Sequence, residues 1–178
     1  MKTRRPAHLA VALVAAALGM LLACIGAYAE PAEGGAGDSS SRGRFAAGLA
    51  VGDPSGLSLA FRFGERFDLQ GLFGWDLRSP GGPTVSVDIL RRFGEFDFVS
   101  VPIRPYAGLG LKATSLAGDG RFGDSSAEYG AGLRIPLGVR LSFDPWPIEA
   151  FLELTAGVRW YPDVAFDPDA VLGARILF

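Results

Sequence analysis

The chain has 178 residues, 49% of them hydrophobic and 20% charged, with a formal net charge of −2, which suits one domain. An acidic chain without a basic stripe excludes nucleic acid as a partner, because phosphate binding needs clustered Lys and Arg. The single His (His8), the single Cys (Cys24) and both Met (Met1, Met20) lie in the first 29 residues.

Residues 1–29 read as a cleaved signal peptide. Lys2, Arg4 and Arg5 form a basic start, 9–25 is apolar, and Ala27-Tyr28-Ala29 supplies a small–x–small cleavage site closing on Ala27 and Ala29. The apolar run of 17 residues is short for a transmembrane anchor. Leu21-Leu22-Ala23-Cys24 partly matches a lipoprotein box, which would leave Cys24 lipidated, but Leu before the Ala fits it poorly. Cleavage leaves 14 basic and 19 acidic residues, a net charge of −5, and no His, Cys or Met. Disulfides, thiolate nucleophiles, imidazole bases and His/Cys metal sites are thereby excluded, and no cofactor is expected.

Residues 30–43 (EPAEGGAGDSSSRG) form a polar Gly/Ser-rich linker. Residues 44–178 then alternate apolar and polar side chains in short runs, with no stretch at helical period. The period of two predicts strands at 44–52, 56–63, 67–77, 84–93, 103–115, 127–143, 148–161 and 170–178. Turn residues separate them: Asp53-Pro54-Ser55, Gly64-Glu65-Arg66, the Pro/Gly-rich 79–83, and Asp144-Pro145-Trp146-Pro147.

Counted from a first strand that rises, the upper connections are 53–55, 78–83, 116–126 and 162–169, and the lower ones 64–66, 94–102 and 144–147. Longer loops at one end and tighter turns at the other match transmembrane barrels, although 94–102 is long and Phe-rich for a tight turn. Pro136 is a second difficulty. Inside the long run 127–143 it predicts a bulge, a strand standing proud of the membrane, or a break into two strands.

One face of these strands is almost wholly apolar, and its aromatics gather at strand ends. Phe67 and Phe143 fall at lower ends, Trp75, Tyr129 and Trp160 at upper ends, as in the two interfacial girdles of a barrel in lipid. The opposite face carries charges of both signs: Arg62, Asp68, Asp88, Arg104, Lys112, Arg134, Arg140, Glu149, Glu153, Arg159 and Arg175, interspersed with glycines. Eight strands enclose an interior only wide enough for side chains, so these charges are expected to fill the lumen as paired ions. A soluble β-sandwich would instead place this face in water.

The segments Gly52-Asp53-Pro54-Ser55-Gly56-Leu57-Ser58, Tyr106-Ala107-Gly108-Leu109-Gly110, Arg134-Ile135-Pro136-Leu137-Gly138-Val139 and Pro147-Ile148-Glu149-Ala150-Phe151-Leu152-Glu153 resemble, in that order, a family of small outer-membrane β-barrel proteins. These are the outer-membrane-protein-A-like eight-stranded barrels of Gram-negative bacteria. The final strand, with Leu172, Ala174, Ile176 and a terminal Phe178 on one face, resembles that family's assembly signal. The resemblance implies an all-β fold, an eight-stranded antiparallel up-and-down transmembrane β-barrel. It also implies insertion by the outer-membrane assembly machinery into outer-membrane lipid and lipopolysaccharide, and no enzymatic activity.

Catalytic readings fare badly on their own chemistry. Barrel lipid A deacylases use a Ser–His pair and omptin-like proteases use acids with His, which the mature chain lacks. Glu149 and Glu153, four residues apart on one strand face, stand about 13 Å apart, too wide for a glycosidase pair. Asp119, Asp124, Asp163, Asp167 and Asp169 are candidate ligands for a hard cation, against the commoner reading of solvated loop carboxylates. The expectation is a non-enzymatic outer-membrane barrel with a structural or surface-interaction role, open to an extracellular ligand or protein through its loops. The alternatives are a narrow channel or small hydrophobic-ligand carrier, and a soluble periplasmic barrel or sandwich.

Overall fold

A computed structural model describes residues 43–78, 82–98, 101–116, 128–143 and 145–178. The strands are β1 (Phe45–Gly52), β2 (Ser55–Phe63), β3 (Phe67–Trp75), β4 (Pro83–Arg92), β5 (Phe96–Phe98), β6 (Val101–Leu116), β7 (Glu128–Phe143), β8 (Ile148–Tyr161), β9 (Ala165–Phe166) and β10 (Asp169–Leu177). Eight of them follow one another around the sheet in the order β1-β2-β3-β4-β6-β7-β8-β10. Antiparallel pairing of β10 with β1, from Ala46 opposite Leu177 to Gly52 opposite Val171, closes the sheet on itself. The result is an eight-stranded antiparallel β-barrel, and closure leaves no unpaired edge.

The expected strands are present, with most ends shifted by one or two residues. β3 stops at Trp75 rather than 77, although the Asp76 amide still donates in register to the Gly82 carbonyl at 2.9 Å. The connection 94–102, read as a loop, holds β5, whose Phe96 and Phe98 pair with Ile103 and Val101 and extend the sheet at the lower rim. Residues 162–169 likewise contain β9, paired to β8 through Val158 and Arg159, and Asp169 already belongs to β10.

Pro136 neither breaks β7 nor bulges it. Pairing with β6 holds at Ala107–Leu137 and resumes in the same register at Gly110–Arg134, so only the rungs around Pro136 are missing. A residue without an amide proton cannot donate there, and the long neighbouring rungs carry the register past it. The irregularity lies instead between Ala131 and Gly132, which pair with Tyr161 and Arg159 and leave Trp160 as the extra residue. That bulge ends the alternation of β8, so Tyr161, which unbroken alternation from Glu149 to Arg159 would put on the inner face, is 49% exposed.

Elsewhere parity decides the side. Along β8, Leu152, Leu154 and Val158 are exposed while Glu149, Phe151, Glu153 and Thr155 are buried. Leu154 is 60% exposed and its neighbour Glu153 is 0% exposed. The barrel is thus inverted relative to a water-soluble domain, with an apolar exterior and a charged interior.

Candidate functional site

The lumen is filled in three tiers. In the middle tier, the Arg134 guanidinium donates to Glu153 at 2.6 Å, to Ser86 at 2.7 Å and to Thr155 at 3.1 Å, and its Nε lies 3.2 Å from Asp88. The second Glu153 oxygen accepts from Gln70 at 2.7 Å and from the Tyr106 hydroxyl at 2.9 Å. Arg175 donates to Ser58 and to Gln70, the latter at 2.6 Å, and its guanidinium lies 3.9 Å above the Phe151 ring.

The lower tier is built on Glu149 and Asp68. Arg62 donates to Glu149 at 2.5 Å, with Arg175 at 3.5 Å and Arg140 at 3.7 Å from its other oxygen. Arg140 also pairs with Asp68, which Arg92 approaches at 3.4 Å. Two buried charges repay their desolvation only when they are paired and their remaining lone pairs and protons are met. The charge partners are present here, while both Asp88 oxygens, Asp68 Oδ1, Glu149 Oε1 and Arg140 Nη2 make no hydrogen bond with a described residue. Glycine makes the space. A Cβ on Gly138 would sit 2.4 Å from the Tyr106 ring, and one on Gly173 would sit 2.4 Å from the Phe151 ring.

The upper tier closes the mouth. Lys112 lies 3.0 Å from Asp169, 3.1 Å from Asp167 and 3.6 Å from Asp76. Arg78, in the β3–β4 connection, reaches Asp169 at 2.6 Å, Asp167 at 2.8 Å and the Pro168 carbonyl at 2.8 Å, and pairs with Asp53. Burial, and then the neighbouring Asp76 carboxyl, push Asp53 up to about 6. Against its own burial, hydrogen bonds from Asp53 and from the Arg78 amide hold Asp76 below the usual carboxylate range.

Of the charges singled out in the sequence, Arg62, Asp68, Asp88, Lys112, Arg134, Arg140, Glu149, Glu153 and Arg175 meet inside the barrel. Arg104 sits at the lower rim, paired with the half-exposed Glu95. Arg159 is partly exposed and makes no ion pair with a described residue. Phe67, Trp75, Phe143 and Trp160 lie on the outer face and Tyr129 is half-buried, each at or near a strand end. Leu172, Ala174 and Ile176 face outward along β10, and the Phe178 amide donates to the Phe45 carbonyl at 2.8 Å with the two rings 6.1 Å apart. Asp167 and Asp169, candidates for a cation, are engaged by Lys112 and Arg78. Ala27, Ala29, Asp119 and Asp124 lie outside the described residues.

Sequence reasoning passed over the neutral members of the network: Ser58, Gln70, Ser86, Tyr106 and Thr155. Their signal was parity, since each falls on the inner face of its strand. Arg78 carried no such signal, being in a connection whose path no periodicity fixes.

No protein-family model matches the chain, and no curated protein does. The N-terminal β-barrel domain of Pseudomonas aeruginosa OprF superposes with a TM-score of 0.60, covering 78% of this chain and all of that one at 18% identity. The two share a fold. Neisserial surface protein A (NspA) aligns over 75% of this chain and 93% of its own at 18% identity, with a TM-score of 0.44.

Proposed function

We propose that this chain is an integral outer-membrane β-barrel with a sealed lumen and a structural or surface-interaction role, and that it is not an enzyme. The observation that carries this reading is the inversion of the barrel. An exterior bearing Leu49, Leu109, Leu154 and Leu172 fully in water would be a large aggregation-prone patch, whereas in lipid it costs nothing. Closure pairs the barrel strands with one another all the way round, the condition for crossing a membrane with strands. The OprF barrel domain supports the same architecture.

Aromatic side chains at both strand ends suit two interfaces, and the outward Phe178 that follows β10 suits recognition by an assembly machinery. A cleaved leader over 1–29 would deliver the chain to that compartment. A lumen packed with ion pairs favours a wall or a scaffold for loops over a channel or ligand carrier. Lipid and lipopolysaccharide are the surrounding partners in this reading, and the upper loops are the surface offered to an extracellular ligand or protein.

The test is cell fractionation followed by gel electrophoresis with and without boiling. The mature chain should fractionate with outer membranes and run faster unboiled, as an intact barrel. Recovery in the soluble periplasmic fraction without detergent would overturn the proposal in favour of a soluble barrel.

A further inference from the structure

At the lower rim, below the lumen network and sharing Arg92 with it, a cleft of about 480 Å³ opens between the β2–β3 turn and the β4–β5 connection. Its charged lining is Arg66, Arg91, Arg92 and Arg104 against Glu65 and Glu95. Four arginines against two glutamates leave the cleft cationic. Two of the four are already engaged: Arg92 with Asp68 and the Gly64 carbonyl, Arg104 with Glu95 and Ser142. The side chains of Arg66 and Arg91 make no hydrogen bond or ion pair with a described residue.

The position of Arg91 is what decides the ligand. It belongs to the outward file of β4, below the exposed Ile89 and above the exposed Phe93. In register it stands opposite Phe67, which stands opposite Phe63, and those two rings stack at 6.0 Å. A row of outer-face aromatics at the strand ends marks the level where acyl chains give way to headgroups. A guanidinium in that row faces the headgroup layer, and Arg66 precedes Phe67 at the same height. Resting on the membrane reading, we infer that this cleft binds the phosphodiester of an anionic phospholipid in the periplasmic leaflet. Arg66 and Arg91 grip the phosphate, and the lipid's chains lie along Phe63, Phe67 and Ile89. The planar guanidinium fork matches phosphate oxygens in pairs, and the cleft volume suits a glycerophosphate headgroup.

The experiment is native mass spectrometry of the mature chain in neutral detergent micelles, titrated with phosphatidylglycerol, with diacylglycerol of the same chains, and with inorganic phosphate. Phosphatidylglycerol should be retained, and the other two should not. The double variant Arg66→Gln/Arg91→Gln, which leaves the lumen untouched and should keep its heat-modifiable gel shift, should retain phosphatidylglycerol at least about tenfold more weakly, because charge-assisted bonds to phosphate are lost. Equal retention by the variant, or diacylglycerol held as well as phosphatidylglycerol, would overturn the site. Inorganic phosphate bound as firmly as the lipid would make it a free-anion site and overturn the lipid assignment. A chain that sits in the outer membrane yet fails these tests loses the lipid site alone, whereas a soluble periplasmic chain loses the membrane reading as well.

Discussion

Gln70 and Glu153 stand on β3 and β8, diametrically opposite strands of the barrel, and are joined by a hydrogen bond of 2.7 Å. A direct bond between facing walls bridges the lumen at its middle. Arg140 with Asp68 and Lys112 with Asp169 span the lumen in the tiers below and above. The interior is a packed electrostatic core.

Removing one member of that core should therefore be severe. Glu153→Leu leaves Arg134, Gln70 and Tyr106 without their shared acceptor, and should lower unfolding stability by about 3–5 kcal/mol. The control is Glu95→Leu, whose partner Arg104 is partly in water at the rim, for which about 0–1 kcal/mol is expected. Urea titration of the chain folded into vesicles measures both. Equal, small effects would mean that the inner face is solvated.

Conductance follows from the same geometry. The protein inserted in a planar bilayer should pass little or no steady current at neutral pH, since eight strands leave no lumen beyond their own side chains. Stable, reproducible open steps would favour a channel.

At the upper mouth, pH should act through Asp53. Its carboxyl is raised to about 6 from an ordinary 3.8, so the folded chain keeps a proton that the unfolded chain has lost. That contribution is fully present below the unfolded value and is lost as pH rises through the folded one. Asp53→Asn keeps the neutral form at every pH. The variant should match wild type at about pH 4 and exceed it in urea midpoint at about pH 8. A variant less stable than wild type at the higher pH would show that the Arg78 pair outweighs the burial of Asp53.

How much of this could be read beforehand depends on what fixed each residue. Where alternation ran unbroken, as from Ile148 to Val158, parity assigned every side chain to its wall, and Glu149, Glu153 and Arg175 could be placed inside without coordinates. Where the alternation was short or broken, reading failed. Two-residue β9 and three-residue β5 are too brief to show a period. The bulge that turns Tyr161 outward depends on pairing with β7, which the order of residues in β8 does not carry. Pro136 misled because its cost falls on one neighbour's ladder while its own strand continues. Which charge meets which across the lumen depends on strand stagger, so the pairs Arg140–Asp68 and Arg62–Glu149, 72 and 87 residues apart, were beyond reach.

Phe178 is where a role in stability and the proposed role in recognition can be told apart. Phe178 is two-thirds exposed on the outer face, where its ring meets Phe45. A charge at the interface costs the folded barrel only about 0–1 kcal/mol, so Phe178→Asp should fold into detergent nearly as wild type does. In cells the same substitution, or deletion of Phe178, should strongly reduce the amount in the outer membrane. Wild-type assembly of both variants would remove the recognition role.

The central claim is that the outer face lies against lipid, and acyl-chain quenching tests it most directly. Trp75 and Trp160 are 54% and 45% exposed at upper strand ends. Variants retaining only one of them as the sole tryptophan, with Trp146 also replaced, should be folded into vesicles of brominated phosphatidylcholine. The account predicts quenching at both positions, stronger with bromines near the carboxyl end of the chains than near the methyl end. Unquenched emission from a folded, vesicle-associated barrel would contradict it, because those rings would then stand in water.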